Sequence, residues 1–258
     1  MNQSNALSPR AERHTGPHLL VLIIFYVALL LAGGSKLSAA FNIPHDSAKK
    51  AVAFVAKYGW SIQLGSFFEL LSAIPLGLFI ATTISRLRFL GVNAAGESIA
   101  FLGGIGATVL LMLSALANWS LTRPGIAEST GAVQALRSIS FASAGPAFVI
   151  LLGFFVAGVS LTAGQRRLIP RSVMWLGIAV AVACELATLT VLNFTAGYLI
   201  PVGRFISIIW MIGIALKLPL STPVAASENG ANPARRIFGQ THPTIQSKTI
   251  LDHPAQVP

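Results

Sequence analysis

Three charged side chains stand inside segments that are otherwise apolar: Glu69, Glu185 and Arg204. An arginine offers a fork of donors to an anionic group, and a carboxylate in a low dielectric can hold or release a proton. Placing either in hydrocarbon costs at least about 2.5–3.5 kcal/mol, so each needs a reason to be there. Counted from the ends of the apolar runs that hold them, all three come to roughly 9–14 Å below the same membrane face, at about 1.5 Å per helical residue. That shared depth makes Glu69, Glu185 and Arg204 the candidate ligand-binding residues, lining an outward-facing polar pocket for a small anionic molecule. A structural reading competes with it. The fifth and sixth apolar runs are joined by a few residues and must pack as an antiparallel pair, so Glu185 and Arg204 can form a buried ion pair that sets their register. Glu69 keeps the pocket in contention, because one arginine cannot neutralise two carboxylates and like charges at one site leave one of them protonated.

The elements that must position these residues are read from the apolar runs. A spanning helix needs about 20 mostly apolar residues. Six runs meet that need: His18–Leu37, Ser61–Ile84, Ser98–Leu121, Ile139–Ala163, Ser172–Phe194 and Tyr198–Leu218. None alternates polar and apolar side chains as a barrel strand does, so an all-α bundle of six transmembrane helices is expected. Composition agrees. Of 258 residues 54% are hydrophobic and only 10% charged, with a mean hydropathy of +0.72. A soluble domain carries about a quarter charged residues. The first run follows Arg10 and Arg13 and is short in its core, as a signal peptide is; Leu37 to Phe41 lengthen it, and an uncleaved helix is expected.

Orientation follows the basic residues near membrane ends. Arg86 and Arg88, then Arg166, Arg167 and Arg171, lie on the same side as Arg10 and Arg13, which predicts both termini inside a bacterial cytoplasmic membrane. Tyr58, Trp60, Trp119 and Tyr198 then fall at outer ends, where amphipathic rings favour the headgroup layer, and Trp210 is the exception in mid-span. The segment Ser47–Trp60 gathers Lys49, Lys50 and Lys57 on one arc, which predicts an external amphipathic helix resting on the outer leaflet. Residues 1–17 form a cytoplasmic N-terminal segment, and residues 219–258, polar and rich in proline, are expected to be disordered.

Other chemistry is not visible. The net charge of +10 is spread between apolar segments in no continuous stripe, so the lipid bilayer rather than nucleic acid is the expected partner. The single cysteine, Cys184, allows no intramolecular disulfide or cysteine cluster, and no histidine pair has zinc-protease spacing, so no metal or cofactor is expected. Gly103, Gly104 and Gly106 sit inside a span, where they permit close helix contact rather than phosphate binding. Gln63, Ser66, Asn118 and Asn193 are expected to hydrogen-bond between helices, and Pro75 and Pro146 to kink theirs. No catalytic constellation is found, and a non-enzymatic role in small-molecule transport or sensing is expected, with a non-catalytic membrane subunit or scaffold as the alternative.

The second half of the chain carries Leu168–Ile–Pro170–Arg171, then Trp175–Leu–Gly177, then Leu199–Ile–Pro201–Val–Gly203–Arg204–Phe205 and Trp210. In these runs it resembles an uncharacterised family of bacterial six-helix membrane proteins that carries only a domain-of-unknown-function label. The stretch Pro75–Leu76–Gly77–Leu78–Phe79 fits more loosely. The resemblance implies the six-helix fold over about residues 19–219 and brings no site residue of its own.

Overall fold

The computed structural model describes residues 13–41, 48–126 and 128–221. The seven α-helices among them are α1 (Leu19–Phe41), α2 (Ala48–Phe89), α3 (Ala95–Ser120), α4 (Thr130–Ala142), α5 (Phe148–Gln165), α6 (Arg171–Leu186) and α7 (Leu199–Lys217). A five-residue π-turn, Ser143–Ala147, joins α4 to α5. Six helical stretches are long and apolar enough to cross a membrane: Leu19–Lys36, Val52–Phe89, Ala95–Ser120, Thr130–Gln165, Arg171–Val191 and Phe194–Lys217. They correspond one to one with the six expected runs.

The chain runs up and down between two ends. At the proximal end lie the α2–α3 turn, the α5–α6 turn and residues 13–18 and 218–221; the end of α1, the start of α2 and the α3–α4 and α6–α7 connections mark the distal end. Helix α1 packs on α2 and α7, α3 on α2 and α5, and α6 on α5 and α7. Between them Phe79, Phe155 and Trp210 stack edge to face, with ring centroids 6.4 and 5.8 Å apart, tying α2, α5 and α7 through the centre. The α3–α5 crossing depends on glycine. A Cβ on Gly103 would come within 2.5 Å of the Leu151 carbonyl oxygen, so only a bare backbone permits this approach.

Three local features depart from the expectations. The amphipathic segment is helical from Ala48, but it is the uninterrupted start of α2 rather than a separate helix lying along a leaflet. Nothing between Lys49 and Trp60 breaks a helix except Gly59, where a Cβ would meet open space. Its apolar side is already used: Val55 and Ile62 of α2 pack with Leu121 and Val133, and Val52, Phe54 and Leu136 join them, giving a small satellite core beneath the distal end. Second, the fifth run stays α-helical only to Leu186 and continues as a 3-10 turn, Ala187–Val191. The Thr188 hydroxyl donates to the Glu185 carbonyl at 2.7 Å, the back-bonding by which threonine loosens a helix. Third, the two prolines differ. Pro75 sits within unbroken α2, whereas beside Pro146 the backbone leaves helical geometry at Gly145 (φ −90°, ψ −111°). Of the tail expected to be disordered from residue 219, residues 219–221 are instead held against the N-terminal segment by backbone bonding at Leu220 and Ser221; the rest of it, and Ser47 at the start of the amphipathic segment, lie outside the described residues.

At the proximal end the two terminal segments meet. Arg13 and Ser221 form an antiparallel bridge, and the His14 amide donates to the Leu220 carbonyl at 2.8 Å. The His14 ring lies 3.1 Å from the Ser85 hydroxyl through Nε2 and stacks edge-on against Phe89. Arg88 and Glu97 form an ion pair at 2.7 Å across the α2–α3 turn.

Candidate functional site

Of the three charged residues that the sequence places at one depth, the fold brings two together. Glu69 is buried on α2, 6% exposed, where that helix faces α3 and α4. Its Oε1 accepts from the Ser114 hydroxyl at 3.1 Å and its Oε2 from the Asn118 side-chain amide at 3.3 Å. Ser114 and Asn118 are four apart on α3 and so share one face of it. The Ser140 hydroxyl of α4 lies 3.0 Å from that of Ser114. Because the single Ser114 proton goes to Glu69, Ser140 must donate to Ser114, and the three form a directed chain ending on the carboxylate.

Arg204 enters from α7. Its Nη1 donates to the Ala144 carbonyl at 3.3 Å, and its guanidinium carbon stands 4.8 Å from the centre of the Phe148 ring. Both contacts arise from the π-turn. The Phe148 amide bonds to Ser143 and Gly145 and passes over Ala144, whose carbonyl is left for the arginine. The guanidinium is close enough for its charge to act on the Glu69 carboxylate and on the Tyr26 hydroxyl, yet no ion pair joins it to Glu69. Tyr26, on α1, is fully buried with its oxygen within reach of the Arg204 guanidinium, while neither its hydroxyl proton nor Arg204 Nε has an acceptor among the described residues. Buried polar groups are nearly always paired, so two unpaired donors beside one another mark a place where something is missing.

Glu185 is elsewhere. Its Oε1 is buried without a partner, tucked where a Cβ on Gly153 would stand 2.7 Å away. Among the described residues no hydrogen bond or ion pair reaches its side chain, so the expected Glu185–Arg204 pair is not formed. The reason is rotational. Arg204 contacts Phe148 of α5 and Glu185 contacts Gly153; five positions at about 100° each put these on faces about 140° apart. Helices α6 and α7 touch directly at the neighbouring pair Cys184 and Gly203, but the two charged side chains engage different faces of α5.

Some participants escaped the sequence reading. Tyr26 was hidden because a tyrosine inside an apolar run counts as apolar, and its signal was its distance from either end of the run, where such rings favour the interface. Ser114 could have been found from its four-residue offset to Asn118. Ser140 and Phe148 carried no local signal. Trp210, flagged in mid-span, is wholly buried with its indole N–H unpaired, in the space that Gly177 leaves beside Ser160.

Among the described residues no group of three or more histidine, cysteine or acidic side chains is placed to hold a metal ion. Comparison with known proteins found no matching family model, no matching curated protein and no matching solved structure.

Proposed function

We propose that this chain is a multi-pass protein of a bacterial cytoplasmic membrane, with both termini on the cytoplasmic side, that binds a small anionic molecule in transport or sensing. The observation that carries the proposal is the state of Arg204. It is half-buried, it is not neutralised by direct contact with either glutamate, and its Nε and the hydroxyl proton of the neighbouring Tyr26 have no acceptor among the described residues. Glu69 is held instead by Ser114 and Asn118. An incoming carboxylate or phosphate oxygen takes both unpaired donors at once, and a charge-assisted hydrogen bond in low dielectric is among the stronger polar contacts a protein makes. Binding, not bond-making, is the role assigned, with Arg204 and Tyr26 as donors and Glu69 as the charge that tunes them. Glu185, expected in the same pocket, is left out of it.

The test is a thermal-shift screen on the detergent-purified full chain with small carboxylates, phosphates and sulfates. A stabilising anion is expected, with its effect lost in Arg204→Ala and weakened in Tyr26→Phe. If no anion stabilises the protein and Arg204→Ala only melts earlier, the arginine is a structural tie between α7 and the π-turn. The chain is then better read as a membrane subunit whose charges set helix packing.

A further inference from the structure

Helices α5 and α6 leave a groove of about 300 Å³ between them on the outside of the bundle. Ala157 and Leu161 line one wall, Ile178, Ala181 and Val182 the other, and Glu185 stands at the distal end. The spacing explains the shape. Positions 178, 181, 182 and 185 form one face of α6, and 153, 157 and 161 one face of α5, with a glycine and an alanine where bulk would close the gap. Leu161 and Val182 are 44% and 54% exposed, so the groove opens toward the surroundings of the bundle.

We infer that this groove is a second binding site, for an amphiphile whose apolar chain lies between α5 and α6 and whose protonated amine pairs with the Glu185 carboxylate. Three observations converge on that occupant. The first is direction. Glu185 is fourteen residues along α6 from Arg171, about 21 Å, so it stands about two-thirds of the way through about 30 Å of hydrocarbon. From there the groove runs about 10 Å to Ile178, toward the bilayer centre. A polar head near one face with a chain pointing inward is the posture of any amphiphile in that leaflet.

The second is charge. Glu185 has no hydrogen-bond or ion-pair partner among the described residues, and Arg204 on α7 turns to Ala144 and Phe148 instead of to it. A carboxylate inside a membrane is kept only with a partner, and a cation is the partner it binds most strongly. The third is the notch at Gly153, which seats Oε1 against α5 and fixes the carboxylate at the head of the groove. An anion site at Arg204 and an amine site at Glu185 recognise opposite charges on different faces of α5, so this site does not depend on the first.

The experiment is native mass spectrometry of the full chain released from detergent, titrated with dodecylamine and separately with dodecanol. Dodecylamine is protonated at neutral pH, as a lysine amine is. A single saturable adduct is expected, at least tenfold tighter for the amine than for the alcohol. In Glu185→Gln that preference is expected to fall to within about twofold of unity, and Ala157→Phe, which fills the groove, is expected to weaken both probes. Arg204→Ala is expected to change neither. Equal binding of amine and alcohol by the wild type means a groove for any acyl chain and overturns the proposal. So does a tenfold preference that survives Glu185→Gln, or a wild type that forms no adduct.

Discussion

Glu69 and Glu185 are the same side chain, placed at one depth by counting along the apolar runs, and they live in opposite surroundings. Glu69 accepts from two donors on α3, has a second hydroxyl behind the first and lies close enough to Arg204 for its charge to act. Glu185 has a glycine notch, a groove and no partner. The difference teaches that depth does not decide what a buried carboxylate does. Azimuth does: Glu69 points inward to helices that carry polar side chains, and Glu185 to a wall that carries none. The first is integrated into the fold, and the second is held in waiting.

The comparison is broken most directly by removing each carboxylate. Glu69→Ala takes away the acceptor of Ser114 and Asn118 and leaves Arg204 without a balancing charge. A loss of about 3 kcal/mol is expected, read as earlier unfolding of the purified chain. Glu185→Gln removes a charge that had no partner to lose and is expected to leave stability unchanged or raise it by under about 1 kcal/mol. Equal losses at the two sites would show that Glu185 has a structural partner after all.

A smaller effect sharpens the Glu185 side. In Gly153→Ala the new methyl meets Glu185 Oε1 at 2.7 Å and the Cys184 Cβ at 2.8 Å, so α5 and α6 must move apart. About 1–3 kcal/mol is expected to be lost, as for overpacking elsewhere. Lost dodecylamine binding in the same variant would link the notch to the groove. On the other side, Ser114→Ala breaks the directed chain between Ser140 and Glu69, for about 1 kcal/mol in thermal unfolding. If that loss is absent, a water replaces the hydroxyl and the cluster is wetter than its burial implies.

The smallest effect lies at the proximal end, where His14 repeats the predicament of Glu185 in miniature. Burial, and then the charge of Arg86, hold the His14 pKa below its ordinary value. The unfolded chain therefore binds a proton first. The stability that neutral His14 contributes is present above about pH 6.5 and is lost as the pH falls through the lowered folded value. Melting curves across that window are expected to fall toward acid in the wild type and to flatten in His14→Gln. A wild-type curve that is already flat there would mean that His14 titrates freely in the fold.

Much of the fold was legible in the residues alone, for a physical reason. Crossing hydrocarbon demands long apolar helices, and that demand is written along the chain, so all six stretches could be bounded before any tertiary contact was known. The three in-span charges stood out by the same logic, and so did the break at Pro146. The amphipathic segment was readable as a helix, but its continuity with α2 and its packing on Val133 and Leu136 were not, because a satellite core depends on distant residues. Tyr26 and Ser140 were illegible because one counts as apolar and the other as commonplace.

What the sequence by itself determined is the number of helices long and apolar enough to cross a membrane and where along them the charges fall, since these follow from length and local composition. Only the tertiary structure decided which charges meet. A helix apolar on every side, as α5 nearly is, carries no polar stripe to set which face it turns to which neighbour. Its rotation is set by packing, through its Gly158 against α3, Gly103 of α3 against it, and its Gly153 against α6. That rotation put Phe148 before Arg204 and Gly153 before Glu185, and so separated two residues that chain connectivity alone would have paired.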